Sequence, residues 1–149
     1  MWEEPEQTAA ALQNRVVAFV RAFGLHRPEQ TPCGAQIPVS QAHAISVLAA
    51  EGALSQKELA RRLELTKSTV SRLVGQLEQR GLIVQRADDT DARRRLVELT
   101  TTGHDTAVEI AELRRARLAR LLRRIPEDDR TGVLDALDTL IEAAHDTND

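Results

Sequence analysis

Between Leu63 and Thr66 only two residues, Glu64 and Leu65, separate two helical patterns. Upstream, Ser55 followed three residues later by Glu58 has the spacing of a capping box, which starts a helix. Leu59, Ala60 and Leu63 then share one face of it. Downstream, Thr66 is a good cap for a second helix, and Val70, Leu73, Val74 and Leu77 give that helix an apolar stripe. Two short helices joined so tightly cannot lie antiparallel. They must cross steeply, as in a helix-turn-helix.

The continuation narrows the choice. Gly81 closes the second helix with a residue that tolerates positive φ. Leu82-Ile83-Val84 and Leu96-Val97-Glu98-Leu99 are short β-prone runs, separated by the charged stretch RADDTDARRR. Two strands with a basic tip after a helix-turn-helix make a wing. The second helix itself opens with Lys67, Ser68, Thr69, Ser71 and Arg72. These hydroxyls and cations are the groups that meet phosphates and base edges in a DNA major groove.

The rest of the chain reads as helices. Leu12, Val16, Phe19, Val20 and Phe23 recur at three and four between Thr8 and Gly24. A connector with Pro28, Pro32, Gly34 and Pro38 follows, and Ser40 is the expected cap of a helix carrying Ala44, Ile45, Val47 and Leu48. After the strands, a long helix is expected over about 102–124 and another after Pro126, whose first turn holds Glu127, Asp128 and Asp129. With one Trp, two Phe and no Tyr among 149 residues, the core must be built of Leu, Val, Ile and Ala. The fold class is therefore mainly α with a small two-stranded β wing, in a single domain over 1–149.

Charge sharpens the functional reading. The net charge of −3 would disfavour DNA if it were evenly spread. However, residues 57–95 hold ten Lys or Arg against six Asp or Glu, whereas 126–149 hold one Arg against eight acids. The positive patch sits on the helix-turn-helix and wing. No Gly-rich phosphate loop, HExxH or nucleophile elbow is present, so an enzyme is not expected. One Cys, no long apolar run and no signal-peptide pattern give the expectation of a cytoplasmic protein with no membrane partner. No cofactor is expected.

The string Asp91-Ala92-Arg93-Arg94-Arg95-Leu96-Val97-Glu98-Leu99-Thr100, followed by Gly103, resembles the wing signature of MarR-type winged-helix regulators. Leu59-Ala60, TKSTVSRLV and LEQRGLI resemble the same family. The resemblance implies a ligand-responsive homodimeric repressor that binds double-stranded DNA at a pseudo-palindromic operator. In that scheme the winged lobe covers about 40–100, and helices over about 8–24 and 102–146 form the dimer. The recognition helix, 66–80, enters the major groove through Lys67, Ser68, Thr69, Ser71 and Arg72. The wing, 86–95, brings Arg93 to the minor groove, with Arg94 and Arg95 beside it and Asp91 orienting the tip. Arg94 should point away from Arg93 by the period-two rule. A small-molecule effector is implied, and Phe19, Phe23, Cys33, His43 and Val47 are candidate pocket residues. Alternatives of the same fold are a redox sensor using Cys33, a zinc sensor using Cys33, His43 and His104, and a winged helix kept for protein contacts. The arginines of the fifth helix, Arg114 to Arg124, fit a solvated face or a partner for the acidic last helix better than a second phosphate patch.

Overall fold

The computed structural model describes residues 3–148, with side chains from Glu6 onward. The order is α1 (Glu3–Phe23), α2 (Val39–Glu51), α3 (Gln56–Leu63), α4 (Lys67–Gln79), β1 (Ile83–Ala87), β2 (Arg95–Leu99), α5 (Thr101–Arg123) and α6 (Glu127–Asn148). Two compact units result, Met1–Arg114 and Arg115–Asp149, with the division falling inside α5.

Among the described residues, the first unit is built around an aliphatic core without aromatic rings. Ile45 and Leu48 of α2, Leu59 of α3, Val70, Val74 and Leu77 of α4, Ile83 of β1 and Val97 of β2 are its largest fully buried side chains. Ala107 and Ile110 close it from the start of α5. The helix pair forms as its caps dictate. Ser55 Oγ accepts from the Glu58 amide at 3.2 Å while the Glu58 carboxylate accepts from the Ser55 amide at 2.9 Å. Glu64 then takes a left-handed conformation, φ 54°, to turn the chain. The Leu65 amide donates back to Ala60 O, and Thr66 Oγ1 accepts from the Thr69 amide to start α4.

The two strands pair antiparallel from Ile83↔Leu99 to Ala87↔Arg95. β1 starts one residue later and runs three further than the Leu82–Val84 run, because Gln85, Arg86 and Ala87 find ladder partners opposite Val97, Leu96 and Arg95. Leu54, just ahead of α3, exchanges both backbone hydrogen bonds with Val97 and adds a one-residue third edge. At the base, Thr100 Oγ1 donates to Gly81 O and accepts from the Gly103 amide, while the Thr100 amide donates to Leu82 O. A Cβ on Gly103 would lie 2.0 Å from Leu82 O. The Leu-Thr-x-x-Gly string is therefore a clamp that seats α5 against the wing base, and only glycine fits at its last position.

Two helix starts differ from expectation. α1 begins at Glu3 rather than Thr8. Pro5 falls in its first turn, where a missing N–H breaks no helical bond. α2 begins at Val39 with Pro38 in the cap position and no side-chain cap, so Ser40 lies within the first turn. The ring-locked φ of −56° at Pro38 sets the entry instead. Buried Gln41 of α2 donates to Gln76 of α4 and accepts from Arg80, whose guanidinium also donates to Gln36 O. This network fastens the connector to the end of α4.

In the second unit, α6 buries none of its residues. Leu134, Leu137 and Ile141 are exposed along it, as are Leu12, Val16 and Phe19 along α1 of the first unit. No helix among the described residues is long and apolar enough to cross a membrane.

Candidate nucleic-acid interface

On α4 the buried stripe Val70, Leu73, Val74 and Leu77 faces the core. Every polar residue singled out in the sequence, Lys67, Ser68, Thr69, Ser71 and Arg72, lies on the exposed side. The start of the helix is a cluster of hydroxyls: Thr66 Oγ1 is 2.7 Å from Thr69 Oγ1 and 3.3 Å from Ser68 Oγ. Lys67 adds a cation at the positive end of the helix dipole, an arrangement suited to phosphate.

The wing tip is shaped by two aspartates acting through the backbone. Asp91 Oδ1 accepts from the Arg93 amide and Asp91 O from the Arg94 amide, both at 3.0 Å. Asp88 Oδ1 accepts from the amide and hydroxyl of Thr90, and these bonds hold the Asp88 carboxyl below its ordinary range, with Arg94 and Arg86 contributing less. The Asp88 amide donates to Arg94 O at 2.8 Å and closes the loop. Asp91 thus sets the backbone from which Arg93 projects.

The three wing arginines have different placements. Arg93 and Arg95 are exposed. Arg94 is half-buried and turns inward. Its guanidinium pairs with the Glu58 carboxylate on α3 and lies 3.6 Å from Asp88. Arg86 is likewise engaged, with Glu98 at 2.9 Å. Lys57 and Arg61 belong to the basic stretch 57–95 of the sequence, where no motif sets them apart. The structure sets them with Ser55, Glu58 and Arg94 around one open depression beside the wing. Their i, i+4 spacing on α3 was legible, but their neighbour Arg94 is contributed from 33 residues further on.

The five pocket candidates are not gathered into one cavity. His43 and Val47 line an open depression of about 300 Å³ with Ser46, Arg62, Leu63, Glu64 and Arg114. Phe19 and Phe23 stack on each other along α1, with centroids 5.4 Å apart. Cys33 is half-buried in the connector. Burial, and then the neighbouring Arg114 charge, hold the His43 ring below its ordinary pKa of 6.5. Arg114, counted in the sequence among the solvated arginines, donates to Ser46 Oγ at 3.4 Å. Arg120, Arg123 and Arg124 line a separate depression in the second unit. Among the described residues no group of three or more His, Cys, Asp or Glu is placed to hold a metal ion.

Comparison with known proteins agrees with this geometry. Residues 35–94 match the model of the MarR family. A putative transcriptional regulatory protein for the hcr operon of Thauera aromatica is 29% identical over 100 residues, a match covering 57% of this chain and 60% of that relative's length. The crystal structure of the PcaV transcriptional regulator from Streptomyces coelicolor is similar at TM-score 0.67 and 25% identity, over 95% of this chain and 97% of that one. Streptococcus pneumoniae FabT, solved in complex with DNA, shares the fold at TM-score 0.69 and 17% identity over 99% of both chains.

Proposed function

We propose, from the match of residues 35–94 to the MarR family model, that this chain is a member of that family and a sequence-specific DNA-binding transcriptional regulator acting as a homodimer. In this reading α4 enters the major groove and the wing the minor groove of each half of a pseudo-palindromic site. The observation that carries it is the sorting of α4. Its core face is wholly aliphatic, and its exposed face opens with Lys67, Ser68, Thr69, Ser71 and Arg72. The exposed Arg93 on an ordered tip adds a minor-groove probe, and Lys57 and Arg61 supply further cations for the backbone. FabT, which shares the fold, was solved with DNA. Exposed apolar side chains along α1 and along α6 support a second copy as the natural partner.

Regulation by a small molecule belongs to the same reading, with repression released on binding. The depression lined by His43, Ser46, Val47, Leu63 and Arg114 also carries the Glu64 carboxylate and an Arg62 already paired with Glu51 at 2.7 Å, so it suits a polar effector that both donates and accepts hydrogen bonds.

Fluorescence anisotropy tests the core of the proposal. The protein is titrated onto the duplex upstream of its own gene, onto a pool of genomic fragments and onto scrambled DNA, at several salt concentrations. A specific regulator binds one sequence class more tightly than the rest by about three orders of magnitude or more, with a steep salt dependence. Equal, weak binding to every duplex would overturn it in favour of a winged helix that serves protein partners.

A further inference from the structure

Arg94 occupies a basic wing, yet its half-exposed guanidinium is turned toward α3. It pairs with Glu58, the residue that also closes the α3 capping box, and it reaches Asp88 on the opposite arm of the wing loop. The Arg94 carbonyl accepts from the Asp88 amide, so both ends of the residue are engaged within the protein. Glu58 sits at the junction: one carboxylate oxygen serves the Ser55 amide and the other serves Arg94. The Ser55 amide first, and Arg94 after it, hold the Glu58 carboxyl below its ordinary range. At the middle rung of the sheet, opposite Val97, Gln85 of β1 accepts from Gln56 of α3 and donates to Glu78 of α4. The wing is thus tied to the helix pair at two places, and the tie near the tip is ionic.

We infer that Arg94 is a positioning residue rather than a DNA contact: through Glu58 and Asp88 it fixes the angle at which the wing presents Arg93. This rests on the DNA-binding reading above. A hinged two-stranded ribbon has few contacts of its own, so one tie near its tip restricts its swing, and that order is in place before DNA arrives. The exposed Arg93 and Arg95 remain as the cations turned outward.

The two possible roles of Arg94 make opposite demands on Glu58. If Arg94 touched phosphate, Glu58→Gln would release a cation toward DNA, remove a negative charge and leave binding unchanged or tighter. If Arg94 positions the wing, Glu58→Gln loosens it and weakens binding. Glutamine can still accept from the Ser55 amide, so the cap of α3 is kept. The experiment measures cognate-duplex affinity across salt for the full-length protein, Glu58→Gln, Arg94→Met and the double variant. Amide hydrogen exchange of residues 86–95 is followed in the same four proteins without DNA. Each single variant should bind roughly three- to fivefold more weakly, as expected for a half-exposed pair. The salt slope should stay at its wild-type value, the double variant should match the singles, and wing amides should exchange faster in all three. Tighter binding by Glu58→Gln, or a slope lowered by about one charge in Arg94→Met, overturns the inference. So does wing exchange unchanged from wild type. If the wild type itself binds no duplex, the DNA reading falls, and exchange alone decides whether the tie orders the wing.

Discussion

Arg72 and Arg93 would read different things in the proposed complex, and substitution separates them. Arg72 is exposed on α4 among small hydroxyl residues, and in that complex it would be the side chain to meet a base edge. Arg72→Ala should therefore weaken a cognate duplex by about 1–3 kcal/mol and random DNA much less. Equal losses on both would make it a backbone contact. Arg93→Ala should weaken all A·T-rich sites and lower the salt slope by about one charge; unchanged affinity would remove the wing from the interface. His43 offers a test that needs no DNA. Its ring is held below 6.5 in the folded chain, while the unfolded chain takes up the proton near 6.5. Between those two values the unfolded state binds more protons, so stability falls as the pH drops through 6.5 toward the folded value. Denaturant midpoints at pH 7.5 and 5.5 should show this loss in the wild type and a smaller one in His43→Gln. Because burial is the larger cause, Arg114→Gln should raise the ring's NMR titration only part of the way to 6.5. Arg94 marks the limit of reading residues from sequence. Alternation along the strand sets Arg94 apart from Arg93 in the string, but the partner that engages it, Glu58, lies 36 residues earlier and leaves no local signal.

Elements were most legible where local chemistry decides them. Ser55 with Glu58, and Thr66 with Thr69, form the hydrogen bonds that their spacing demands, so the α3–α4 pair could be read directly. Strand limits were less legible, because pairing and not composition stops a strand, and the one-residue edge at Leu54 has no pattern to read. Gly103 shows a motif whose reason only the structure supplies. Its missing side chain lets α5 pack on Leu82, and the competing backbone carbonyl cannot rotate away like a side chain. Gly103→Ala should gain about 1 kcal/mol of helix propensity and lose more to the forced shift of the wing base. A net destabilisation of about 2 kcal/mol is expected by urea denaturation. Gly75→Ala is the matched control, since nothing lies within 4 Å of a Cβ there and its φ is helical. It should raise stability by about 0.5–1 kcal/mol. Similar effects at the two sites would mean that the close approach at Leu82 relaxes freely.

At the scale of the molecule, the aliphatic core of the first unit leaves a surplus of apolar surface elsewhere. Leu134 is 58% exposed and Ile141 53% on α6, while Leu12 and Phe19 are about half exposed on α1. Such stripes at helical spacing face water only at a cost, and covering them against a like stripe removes that cost. The uneven charge fits the same picture: the acidic residues of 126–149 suit an element held away from DNA, which the local balance around α4 and the wing does not contradict. A homodimer joined through these helices would also place two α4 helices on one duplex. Leu137→Glu tests this without endangering the core, because α6 buries no residue within the chain. Light scattering should give twice the 16.5 kDa chain mass for the wild type and the single-chain mass for the variant. Circular dichroism should still show a folded helical protein. With one wing and one α4 per binding unit, the salt slope on an intact operator should fall to about half. A Leu137→Glu protein that remains dimeric would move the interface off α6. One that becomes monomeric yet keeps full operator affinity would separate dimerisation from DNA recognition.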